Sequence, residues 1–300
     1  MSWLNTETET YFDHFRGCLR DTIRRGAFDE AIDLCDQAIA WGRDRGDQDA
    51  VDLGWCNKSG VLITLGRGEE ASSRLRRILL SSSNPVCCFV ASYNLSRVHE
   101  ERRETQRGLF YARLSQGHAE RAGRSDFLAA SHNQVGGLLL IDCYFEEARD
   151  SYLRALDFSP PDLDRAIMGS NIGYCQVVLG HQGEGFEWLF RSLRDMRRQG
   201  AETWEMLPRL GLSYAYLEID RPERSRRHAV RALALAESAS YREHIMNALF
   251  LLGEAEKLLG HEFEAYTHFQ RLQRDYYPDA PFISDVLMST DVRQLVHLMA

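Results

Sequence analysis

Seven turn positions, Gly26, Gly66, Arg103, Cys143, Gly180, Asp220 and Gly260, recur at intervals of 40, 37, 40, 37, 40 and 40 residues. Five residues after each comes a small side chain: Ala31, Ala71, Gly108, Ala148, Gly185, Ser225 and Ala265. Seven residues further on, the series reads Ala38, Ile78, Ser115, Ala155, Ser192, Ala232 and Leu272. A period of this size marks stacked supersecondary units, each too small to bury its own apolar face.

Each unit reads as a helical hairpin. The pattern is clearest over residues 131–160, where Val135, Gly136 and Leu139 lie on one face of a first helix. Ala148, Tyr152 and Ala155 follow at i, i+4 and i+7, a small–large–small ridge on a second helix. Pro160 stops that helix, because proline lacks the N–H and clashes with the preceding turn. Units are expected at about residues 8–45, 49–83, 86–122, 127–160, 163–199, 203–238 and 243–278. A further amphipathic segment at 283–299 reads as a helix that caps the exposed end of the stack. No linker-like stretch interrupts the series, so residues 1–300 are expected to form one all-α domain.

The hairpins resemble tetratricopeptide repeats (TPRs). Val135, Gly136, Ala148, Tyr152, Ala155 and Pro160 stand at signature positions, as do Leu252, Gly253, Gly260, Ala265, Phe269 and Pro278 in the seventh unit. The resemblance covers roughly residues 8–278, with a period longer than the usual ~34 residues of this family. It is similar to the longer-helix subgroup found in peptide-binding adaptors and in bacterial regulators. The resemblance implies a right-handed α-solenoid of about seven hairpins, with first helices lining a concave groove and second helices facing outward.

On that register, the residues nine places before the turns include four successive carboxamides, Asn57, Asn94, Gln134 and Asn171. A carboxamide offers both a donor and an acceptor. A row of them is therefore expected to pair with the backbone of an extended peptide without reading its sequence. The alternative is that each amide bridges neighbouring helices. Tyr93 and Asn133 stand one place before the row. Arg97, Tyr174 and Tyr214 stand three places after it, with Gly60 and Gly137 at the same offset leaving room for a ligand. Arg97 suits an acidic group, and the tyrosines offer apolar contact with a polar tip.

Charge and composition narrow the partner. Net charge is −8, which disfavours direct binding to nucleic-acid phosphates. Of the 36 cations only Lys58 and Lys257 are lysine; arginine-rich runs at Arg197 and at 221–231 lie on second helices. They are expected to form a solvated outer face, or else a dock for an acidic partner or nucleic acid. No apolar run approaches the ~18–20 residues of a membrane span. The opening MSWLNTETETYFDHF has acidic residues where a signal peptide needs basic and apolar ones, so a cytoplasmic location is expected. Seven cysteines form no CxxC pair and are expected to behave as small hydrophobes.

Catalytic and cofactor motifs are lacking. GHQGEG at 180–185 has no Lys–Ser/Thr after it and no strand before it, and His261 and His268 lie seven residues apart rather than the four of HExxH. The sequence therefore predicts a non-catalytic interaction scaffold, without cofactor or metal, that binds a protein or peptide segment in its groove. The alternative is a regulatory or sensor subunit that responds to a signal and controls a separate effector, an enzyme or a transcription factor.

Overall fold

Every turn that the period picks out is a left-handed residue in the computed structural model, which describes residues 3–160 and 162–291. The φ angles are 73° at Gly26, 68° at Gly66, 57° at Arg103, 62° at Cys143, 84° at Gly180, 54° at Asp220 and 77° at Gly260. A left-handed residue just past a helix lets the next N–H turn back to an otherwise unpaired carbonyl of the last turn. Arg67 N donates in this way to Leu62 O at 2.8 Å, His181 N to Gln176 O at 2.8 Å, and His261 N to Glu256 O at 2.9 Å.

The chain falls into two compact units, residues 1–139 and 140–300. In the first, α1 (Thr6–Arg24), α2 (Phe28–Asp44), α3 (Gln48–Thr64), α4 (Glu69–Ser81), α5 (Pro85–Glu101) and α6 (Thr105–Ala122) follow as hairpins. Helix α7 (Ser125–Ile141) closes it, its last two residues falling in the second unit. The second unit continues with α8 (Phe145–Phe158), α9 (Leu163–Val178), α10 (Gln182–Arg198), α11 (Met206–Glu218), α12 (Pro222–Ser238), α13 (Arg242–Leu258), α14 (Glu262–Tyr276) and α15 (Ile283–Ser289). All regular structure among the described residues is helical. No described helix is long and apolar enough to cross a membrane.

The two repeat lengths have a structural cause. Four units carry a second left-handed residue 20 places after the first: Gly46, Gly123, Gly200 and Ser240. These are the units that precede a 40-residue step. The two 37-residue steps lack it. There α4 and α8, of 13 and 14 residues, end at Ser82 and Ser159 in extended backbone. Pro85 then begins α5 at a position where its missing N–H costs nothing, and Asn84 caps that helix through Val86 N at 2.9 Å.

Both small-residue series are buried throughout. Ala31, Ala148 and Ala265 are fully enclosed, and so are Ala38, Ala155 and Ala232. These positions let the second helix of each unit approach its neighbours, while Tyr152 and Phe269 fill the space between them. The closest fit is at Gly253, where a Cβ would stand 2.2 Å from the Phe269 ring. The sixth unit differs at its start. Residues 202–205 form a 3₁₀ turn ahead of α11 rather than a continuous helix from Trp204. Pro208 cannot donate in the first turn of α11, and Glu205 is drawn into ion pairs with Arg197 and Arg209. In the expected capping segment, α15 is helical and receives Lys257 Nζ on Leu287 O and Thr290 O at 2.7 and 3.1 Å. The part of that expectation from residue 292 onward lies outside the described residues.

Candidate functional site

In residues 1–139 the first helices α3, α5 and α7 each carry an edge that is at least partly exposed. Along this edge α3 exposes Asn57, Gly60 and Thr64, α5 exposes Val90, Tyr93, Arg97 and Glu101, and α7 exposes Ala130, Asn133 and Gly137, each at least in part. The stripes share one register. Ten places before the turn stand Tyr93 and Asn133, and six places before it stand Gly60, Arg97 and Gly137. A Cβ built on Gly60 meets nothing within 4 Å, so that glycine borders open space.

On α5 and α7 the carboxamides lie one residue, about 100° of helix, away from this stripe, whereas on α3 Asn57 is part of it. Asn94 is buried, and its Nδ2 donates to Cys56 O at 2.9 Å and to Ser59 Oγ at 2.8 Å on α3. Gln134 is buried, with Nε2 donating to Glu100 Oε2 at 2.6 Å. Both amides therefore tie successive first helices together. Asn57 stays half-buried and donates to Leu53 O within its own helix at 2.8 Å. The side chains left facing outward are those expected to select a ligand's side chains: Tyr93, Arg97 and Asn133.

Electrostatics on this face are mixed. Burial raises the Glu101 carboxyl, Arg97 pulls it back down and Glu100 adds to the rise. Tyr93 stacks on Phe89 at 5.7 Å, and Phe89 on Phe127 at 3.9 Å, so the tyrosine rests on an aromatic base. An amphipathic ring, a guanidinium and a carboxamide beside open backbone suit a peptide better than a small apolar ligand.

The second unit is different. Tyr174 and Tyr214 are buried, with ring centroids 5.6 Å apart, and Phe145 meets Tyr174 edge-on at 6.2 Å. Their register position is filled by the protein's own aromatic packing. Asn171 is half-exposed and makes no hydrogen bond to another described residue. The predicted set thus divides: Tyr93, Arg97 and Asn133 share the open face of α5 and α7, whereas Tyr174 and Tyr214 pack against each other.

One feature escaped the sequence. A cleft of about 720 Å³ opens beside α10, lined by Phe186, Phe190, Arg191, Arg194, Arg209 and His228 among others. The arginine runs at Arg197 and at 221–231, which holds His228, were its visible edges; that they meet, with Arg209 between them in sequence, is what spacing does not show. No group of three or more His, Cys, Asp or Glu side chains among the described residues is arranged to hold a metal ion.

No family model and no curated protein matches the chain. Solved structures do. A Rap protein crystallised with Competence and Sporulation Factor superposes with a TM-score of 0.70 at 13% identity, covering 92% of this chain and 79% of that one. A tetratricopeptide repeat protein from Parabacteroides merdae gives 0.56 at 14% identity, covering 95% and 99%. PilF of Pseudomonas aeruginosa gives 0.55 at 19% identity, covering 81% and 99%. Likeness at these identities is one of fold: the hairpins described above are tetratricopeptide-type repeats in an all-α chain.

Proposed function

We propose that the protein is a non-catalytic interaction module that holds a peptide or protein segment against the open face of α3, α5 and α7. Tyr93, Arg97 and Asn133 grip the segment, with Gly60 and Gly137 giving its backbone room. The observation that carries this reading is the shared register of those positions, together with the open space at Gly60. Asn94 and Gln134 act behind them by fixing the spacing of the helices. The likeness in fold to a Rap protein crystallised with Competence and Sporulation Factor supports an array of this kind holding a ligand.

The test is Gly60→Trp. Nothing stands near that Cβ, so the fold should tolerate the side chain while the face is blocked. Proteins captured by the wild-type chain from its native lysate should be lost with Gly60→Trp and with Arg97→Glu, at an unchanged melting temperature. Retention of the same captured set by both variants would refute the assignment of this face.

A further inference from the structure

We infer that the arginine cleft in residues 140–300 is a second docking site, which takes an acidic segment of a partner protein with an apolar side chain between its carboxylates. Its lining comes entirely from residues 186–228, with none from α3, α5 or α7. Helix α10 supplies most of it, because its residues divide by edge. Gly185, Leu189, Ser192 and Met196 are buried in the stack. Phe190, Arg191, Arg194 and Arg197 follow the other edge at i, i+1, i+4 and i+7 and are exposed.

Charge is the first reason for an acidic occupant. The lining holds Arg191, Arg194, Arg197 and Arg209 against Glu187. Glu205 adds one more carboxylate, bridging Arg197 at 3.1 Å and Arg209 at 2.6 Å. Four guanidinium groups against two carboxylates leave two positive charges in excess, in a chain whose net charge is −8. Arg194 has no carboxylate partner among the described residues, and Arg191 only lies over the Trp188 ring at 5.0 Å. Both guanidinium groups are available. His228 closes the inner end with a buried Nδ1 that has no hydrogen-bond partner.

Shape is the second. From Arg191 to Arg197 the stripe runs roughly 9 Å along α10. That is too extended to converge on one phosphate and matches carboxylates about two helical turns apart. Between the charges lies an aromatic floor of Phe190, 38% exposed, and Phe186, which stacks on it at 6.2 Å and is backed at 4.9 Å by the buried Tyr216. An apolar side chain of the occupant covers this floor, while the arginines take its acids, a recurring mode of acidic-motif recognition.

The surroundings extend the same preference. Eleven residues after each turn of the second unit stands an arginine: Arg154, Arg191, Arg231 and Arg271. Arg231 pairs with Glu202 and Arg271 with Glu237, so carboxylates punctuate the row. A polyanion with a phosphate at every step would meet those carboxylates, whereas a peptide with spaced acids avoids them.

Fluorescence anisotropy with the full chain tests this. The probes are a labelled peptide of Glu and Leu residues, its Gln-for-Glu counterpart, and a labelled single-stranded RNA of similar length. The acidic peptide should bind, weaken with added salt, and lose at least about tenfold in affinity with Arg191→Glu plus Arg194→Glu. The Gln counterpart should bind at least about tenfold more weakly than the acidic peptide, with little salt dependence. Gly60→Trp should leave binding unchanged, since it lies in the other unit. The proposal is overturned if the acidic peptide fails to bind, if the folded double variant binds it equally, or if the RNA binds more tightly and is lost with the same variant.

Discussion

Asn94 and Asn171 occupy the same repeat position, yet their replacement by alanine should have opposite effects. Asn94→Ala removes two buried hydrogen bonds, to Cys56 O at 2.9 Å and Ser59 Oγ at 2.8 Å. A net value of ~1 kcal/mol for each gives a loss of about 2 kcal/mol. No buried donor is orphaned, because Ser59 Oγ still donates to Cys56 O at 2.7 Å, and the loss stays near that figure. For a cooperative unit of this size it lowers the melting temperature by roughly 6 °C. Asn171 is half-exposed and makes no hydrogen bond to another described residue. Alanine there raises helix propensity and should stabilise by about 0.5 kcal/mol. Urea unfolding followed by tryptophan fluorescence and by circular dichroism reads both. An Asn94→Ala midpoint equal to wild type would refute the bridging role, and so would an equal loss with Asn171→Ala.

Three further outcomes follow from the geometry. Arg103, Cys143 and Asp220 hold left-handed backbone without being glycine, so Arg103→Gly or Cys143→Gly should raise stability by ~1 kcal/mol in thermal unfolding. Gly253→Ala should lower it by ~1–3 kcal/mol, because the new methyl would meet Phe269, whereas Gly60→Ala in open space should be neutral or stabilising. Burial, followed by the Arg209 and Arg197 cations, pushes the His228 imidazole down from 6.5 to about 4. As pH falls below 6.5, the unfolded chain takes up a proton that the folded chain refuses until about 4. The stability linked to this site is full above 6.5 and lost across that window, and His228→Gln should flatten the pH–stability curve there by roughly 1–2 kcal/mol, allowing for solvent screening.

Much of the fold was legible because helix stops leave chemical marks. Glycine at four of the seven turns fixed the register, and that register located Arg103, Cys143 and Asp220 despite their side chains. Small residues at fixed offsets then marked the helix edges that must approach closely, and all of them are buried. Which of two adjacent residues faces solvent was not legible. Asn94 and Tyr93 differ by about 100° around α5, and only the neighbouring helix decides which of them is covered. The covered Tyr174 and Tyr214 show the same limit, since an aromatic on a first helix reads alike whether it greets a ligand or another tyrosine. The cleft was hidden for another reason: Arg197, Arg209 and His228 meet only through folding.

The two kinds of link between hairpins also set how such a gene can grow. A unit closed by a second left-handed residue hands the chain on after 40 residues, and one closed by an extended serine does so three residues sooner. Those three residues turn a helix by roughly 300° and shorten it by about 4.5 Å, so the two links are not interchangeable joints. Residues 181–220 and 221–260 are both of the 40-residue kind and follow each other directly. An in-frame duplication of 181–220 would join like to like, with its buried series still in phase.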